Sequence, residues 1–152
     1  MPTTSLTFEE ITSAICRHWR DELPELIATA YPGVQLGTDR LAEWFELSVE
    51  QWTVLPRRDG DPDQATLELM VRCLARPDVA TGRIWQLAEY ARGLFAEVDV
   101  PIVDHSVSEA AVIGWVRFDA GVLRDVTRSE RDRNRPPLRH VEWTWQGTVK
   151  SG

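Results

Sequence analysis

Asp104-His105-Ser106 carries the three residue types of a nucleophilic triad: a carboxylate, an imidazole and a hydroxyl. In a triad the imidazole bridges the other two groups, and three consecutive residues cannot supply that geometry alone. No nucleophile elbow accompanies them, so the segment reads as a solvated loop. Cys16 and His18 are types that bind metal, but two residues apart on a helix they point about 200° apart, whereas a shared face needs a spacing of three or four. Asp59-Gly60-Asp61-Pro62-Asp63 has the acidity of a calcium loop. Pro62 and the lack of a glutamate at the twelfth position break that pattern, and a plain acidic turn is the better reading. There is no glycine-rich phosphate loop. His140 falls on the polar face of a strand, exposed or paired with a neighbouring carboxylate. The expectation is a protein without catalytic, cofactor-binding or metal-binding residues, and not an enzyme. The alternative is a small ligand-binding or enzymatic α+β domain, which would need Asp104, His105 and His140 to converge in a deep pocket.

The strongest surface signal is a basic loop. Arg128, Arg131, Arg133, Arg135 and Arg139 stand against only Glu130 and Asp132. The whole chain is acidic, with a net charge of −7 and a pI near 5.0. A chain that grips nucleic acid through phosphates is usually basic. An acidic body with a basic arm fits self-assembly better, because opposite potentials steer and register partners. The five arginines are therefore the candidate interface residues, docking on an acidic face of another subunit. A solvated tip and a transient contact with nucleic acid are the competing readings. The basic residues are arginine throughout except Lys150, which suits planar bidentate pairing but also fits biased codon use. Seven tryptophans exceed what a small core needs, and a surplus of large rings is common at interfaces.

The elements that must position this loop follow from periodicity. Thr7-Phe8-Glu9-Glu10 fits a capping box, with Leu6 and Ile11 as a hydrophobic staple. Phe8, Ile11, Ile15, Trp19 and Leu23 then recur at helical spacing. Pro24 should kink this helix or start a second short one reaching Ala30. Tyr31 to Gly37 is a break with one short edge strand. Residues 44–54 alternate as a strand, with Phe45, Leu47 and Val49 on one face. Residues 65–75 form its partner, with Leu67, Leu69, Val71 and Cys73 inward. A second helix spans about 80–96, its stripe made by Ile84, Leu87, Ala88, Ala91 and Leu94. Residues 100–103 form a short strand. Residues 112–127 and 138–149 alternate as one long hairpin, with Val141, Trp143, Trp145 and Val149 on one face of its second strand. The tip of that hairpin is the arginine loop, residues 128–137.

The expected fold class is α+β: an antiparallel or mixed β-sheet packed against two main helices in the order α-β-β-α-β-β. One domain spans 1–152, with the 128–137 loop projecting. Cys16 and Cys73 both sit in apolar patterns and read as buried thiols, not a disulfide framework. No signal peptide is visible, and the longest apolar run, near 110–116, is too short to span a bilayer. A cytoplasmic protein with no membrane role is expected.

This order of elements resembles the tail terminator or tail-completion proteins of long-tailed bacteriophages, including their head–tail joining relatives. The resemblance covers nearly the whole chain. It rests on the helix from Phe8 to Leu23, the Tyr31-Pro32-Gly33-Val34 break, the strand pair at 44–54 and 65–75, the helix from Arg83 to Ala96, and the hairpin ending in His140-Val141-Glu142-Trp143-Thr144-Trp145. It is a match of pattern without a diagnostic motif, and the 128–137 loop is longer than the family needs. The resemblance implies a homo-oligomeric ring, commonly six-fold, in the tail and neck of the virion, assembled in the host cytoplasm. Its partners would be the tail tube protein and a neck or head-closure protein. DNA would only pass through the lumen, and no cofactor is implied. The rivals within this class are another head–tail connector and a tube protein.

Overall fold

The computed structural model describes residues 6–54, 64–77, 82–105, 109–127 and 138–152. Helix α1 (Phe8–Glu22) begins with the capping box: the Glu10 N–H donates to Thr7 Oγ1 at 3.1 Å, and the Thr7 N–H donates to Glu10 Oε2 at 3.0 Å. Ile11, Ile15 and Trp19 are buried along one stripe. Phe8 is exposed on one side, yet its ring lies 4.6 Å from that of Trp52. The helix stops at Leu23 because a proline disfavours the helical region for the residue before it, and Leu23 is extended at ψ 124°. Neither a kink nor a second short helix follows. The chain instead runs into β1 (Thr29–Ala30), which pairs in parallel with β2 (Glu43–Val54). Trp19 fixes this path, its indole N–H donating to Thr29 Oγ1 at 3.1 Å. The short edge strand thus precedes Tyr31 and makes the sheet mixed.

β3 (Gln64–Ala75) pairs antiparallel with β2 and is followed by α2 (Arg83–Phe95). β4 (Asp99–Asp104), β5 (Ala111–Phe118), β6 (Val122–Asp125) and β7 (Arg139–Ser151) complete the chain. The order across the sheet is β1-β2-β3-β7-β5-β4, and β6 also pairs with β7. The fold is α+β: β4 stands where a short strand is expected at 100–103, the edge strand β1 falls just before residues 31–37, and the first strand of the hairpin is divided.

Both helices cover one face of the sheet. Leu67, Leu69, Val71 and Cys73 are fully buried there, as are Val141 and Trp145 from β7 and Ile84, Leu87 and Ala91 from α2. Burial raises the Cys73 thiol far above its ordinary pKa; Cys16 is only half buried, and desolvation raises it too. On the opposite face a smaller cluster of Trp44, Leu74 and Leu138 is covered by Ala28, Leu36 and Leu41. Arg76 fastens that cover. Its guanidinium lies 5.3 Å from the Trp44 ring centre and donates to the carbonyls of Leu41 at 2.7 Å and Thr38 at 2.8 Å.

The first arm of the terminal hairpin is two strands, not one. Phe118 pairs with Gly147 and Val122 with Thr144, so three residues stand opposite two. Such a bulge bends the strand and changes the phase of alternation. Gly114, Val116 and Phe118 are buried before it, and Leu123 turns toward the core after it. Gly121 closes the bulge at φ +83°, where a Cβ would overlap the Trp145 indole. β2 carries a similar irregularity between Glu50 and Thr53, with Gln51 at φ 52°, which swings Trp52 to the core side.

Two glycines test this packing with opposite signs. Gly121→Ala should cost about 2–4 kcal/mol, combining left-handed strain with overpacking against Trp145. Gly93→Ala, on an exposed stretch of α2 with open space around it, should stabilise by about 0.5–1 kcal/mol. Urea unfolding of the two variants beside the parent checks both; a neutral Gly121→Ala contradicts the bulge geometry.

Candidate assembly surfaces

Residues 128–137, with Arg128, Arg131, Arg133 and Arg135, lie outside the described residues, but both roots of the loop are described and fixed. On one side the Val126 N–H donates to the His140 carbonyl at 2.9 Å. The Thr127 N–H donates to Asp125 Oδ1 at 3.0 Å, and the His140 N–H donates to Thr127 Oγ1 at 3.2 Å. The Thr127 hydroxyl and N–H hold the Asp125 carboxyl below its ordinary range. On the other side Leu138 is buried under the 28–41 segment. Arg139 is the first residue of β7, opposite Ala75; it is half buried, and its Nε is enclosed without a hydrogen-bond partner among the described residues. Arg139 therefore stands at the root of the arm, apart from the four arginines of the loop.

The second feature is a cleft of about 640 Å³ between α1 and β4. Glu10, Ala14, His18 and Asp21 recur at helical spacing along one wall, and Val100 and Val103 line the other. Glu9 and Glu22 flank the helical wall, and Asp104 and His105 close the β4 end. The three residues of the ligand-binding alternative are not brought together. Asp104 and His105 border the cleft, whereas His140 sits near the start of β7 with its Nε2 3.6 Å from Glu142. Ser106 lies outside the described residues. His18 also lines the cleft, its Nε2 2.8 Å from the Leu94 carbonyl. The acidic turn at 59–63 also lies outside the described residues. Among the described residues no group of three His, Cys, Asp or Glu side chains is placed to hold a metal ion.

Elsewhere the charges serve the fold. α2 has no side-chain cap at Gly82 and begins with a cation, which opposes the helix dipole. Arg83 is nevertheless held by Glu43 at 2.7 Å and by Glu25 at 2.8 Å, and its guanidinium lies 5.8 Å from the Tyr90 ring centre. Tyr90 also donates to Glu25. Hydrogen bonds to Glu43 and Glu25 raise the Arg83 pKa, and those from Arg83 and Tyr90 lower that of Glu25. On the sheet face away from the helices, Arg72 lies 3.3 Å from Glu142 and 3.9 Å from Glu46, a row that crosses β2, β3 and β7 in register. The tryptophan surplus is Trp85 and Trp115, 43% and 46% exposed.

No protein-family model matches this sequence, and no curated protein matches it. Among solved structures, 13 chains match in fold. One belongs to a structure titled as the virion of a native gene transfer agent (GTA) particle. It aligns with a TM-score of 0.55 at 12% identity, covering 93% of this chain and 95% of that one. At such identity the likeness is one of fold, and it runs over nearly the full length of both chains.

The Glu25 clamp has a defined pH signature. A carboxylate with a lowered folded pKa contributes stability above its unfolded pKa, and that contribution disappears as pH falls through the folded value. Glu25→Gln should therefore lower the melting temperature at neutral pH, and the gap from the parent should close in acid. A gap that persists unchanged down to the acid limit contradicts the ionic role of Glu25.

Proposed function

We propose that this chain is a structural protein of a phage-like virion that forms a closed ring, caps the head-proximal end of the tail tube and joins tail to neck. The observation that supports this reading best is the end-to-end fold likeness to a chain of a virion particle. The order of elements, which resembles the tail terminators, points to the tail–neck position within such a particle. The reading includes six-fold self-association and contacts with a tube protein and a neck protein, without catalysis or cofactor. An acidic chain also suits a ring through which DNA passes, since like charges keep the duplex from adhering. Each subunit of a cyclic ring uses two different patches, one toward each neighbour. The arginine arm and the acidic cleft are two such patches.

The competing position is that of a tube protein or another connector. A terminator forms a species of fixed size and stops tube growth, whereas a tube protein polymerises without limit. Measuring the mass of the assembled species with and without purified tail tubes separates them. A closed oligomer, six subunits in mass, that binds tube ends and holds tube length constant is the expected result. A single bound copy or an open-ended polymer contradicts it. Ring formation should weaken with rising salt, because exposed charge pairs are screened beyond a Debye length of about 10 Å at 0.1 M.

A further inference from the structure

We infer that the α1–β4 cleft is the docking site for the arginine arm, residues 128–137, of a neighbouring copy of this chain. The inference rests on the ring reading and names the contact that would build the ring. Charge is its first support. The cleft is bordered by Glu9, Glu10, Asp21, Glu22 and Asp104 against a single arginine, Arg17. The arm presents Arg128, Arg131, Arg133 and Arg135 against Glu130 and Asp132. Arginine forks match carboxylates in bidentate geometry. The apolar stems of those arginines suit the Pro101 and Val103 wall, because long basic side chains lay their methylenes on apolar surface.

Reach is the second support, and at the β4 wall it calls for a neighbour. The arm leaves the sheet at Thr127 and Leu138, beside the start of β7. The cleft wall lies at the far end: Val100 pairs with Val116, which pairs with Val149. From Leu138 to Val149 the strand runs about 36 Å at about 3.3 Å per residue. The apex of a ten-residue segment held at both ends can stand at most about 18 Å from its roots. The arm therefore cannot reach the β4 end of its own cleft. A donor at one end and an acceptor at the other give a head-to-tail contact, which closes into a ring when the rotation per subunit divides a full turn.

A charge-swap experiment on the full chain tests the contact. The arm variant carries Arg128→Glu, Arg131→Glu, Arg133→Glu and Arg135→Glu. The cleft variant carries Glu9→Arg, Asp21→Arg and Glu22→Arg, sparing Glu10, which caps α1. Each alone should weaken self-association by at least about tenfold, as expected from several exposed pairs lost together. Combining the two sets in one chain should restore association. Single-surface variants that assemble like the parent, or a combined variant that stays dissociated, overturn the docking. So does an arm variant that keeps its rings and loses only DNA binding.

A disulfide trap covers the case in which a variant fails to fold. Ser129→Cys places a thiol on the arm, and Ser13→Cys places one on the exposed cleft wall. Both go into a Cys16→Ser background, since Cys16 is one helical turn from Ser13. Mild oxidation should link chains to one another, and reduction should release them. Rings without cross-links overturn the docking and leave the ring reading standing. Cross-linked ladders without a closed species support the docking and overturn the ring. A chain that stays monomeric and uncross-linked, with tail tubes or without, overturns both.

Discussion

The fold depends on a run of aromatic rings in contact. Trp143 and Trp145 stack at 5.0 Å on β7. Trp145 meets Phe95 of α2 at 5.5 Å, and Phe95 meets Trp19 of α1 at 5.8 Å. Trp19 reaches Phe45 on β2 at 4.7 Å. One contiguous line of rings thus joins both helices to the centre of the sheet. Each such pair contributes about 0.5–1.5 kcal/mol beyond its buried area. The Trp143 indole N–H donates to the Ala88 carbonyl at 2.9 Å, so the stack also sets where α2 lies along the strand.

The hairpin inherits its direction from that line. β7 is gripped by β3 along its whole length and by α2 from above, which makes it the fixed axis of the molecule. The β5–β6 bulge exists because Trp145 fills the space that a side chain at position 121 would occupy. With β7 fixed, the roots of the arginine arm are held at one end of the sheet and the β4 wall of the cleft at the other. A rigid body with a basic segment rooted at one end and an acidic recess reaching the other is suited to repeat around an axis.

Legibility in the sequence followed local physics. The capping box at Thr7 and Glu10, the alternation of Leu67 to Cys73 and the stripe of Ile84 to Leu94 are set by residues within one or two turns, and each stands where the pattern places it. What failed to show depends on contacts distant in sequence. β1 forms because Trp19 bonds Thr29, which no periodicity in residues 24–30 reveals. The bulge at 119–121 needs Trp145 on the partner strand, so residues 112–127 read as one strand. The Glu25–Arg83–Glu43 clamp joins the α1–β1 connection to α2 and β2 and has no sequence signature. The arm announced itself by composition, whereas the cleft did not, because its two walls are about 80 residues apart in the chain, far beyond the reach of helical or strand periodicity.

The central claim is that copies of this chain join head to tail at the end of a tail tube. Electron cryo-microscopy of tubes capped with the protein tests it most directly, since it shows the copy number, the symmetry and the path of residues 128–137 together. A closed ring at the head-proximal end, with each arm seated between α1 and β4 of the next copy, is the predicted image. Density for one copy, for stacked layers along the tube, or for a ring whose arms point into solvent contradicts it.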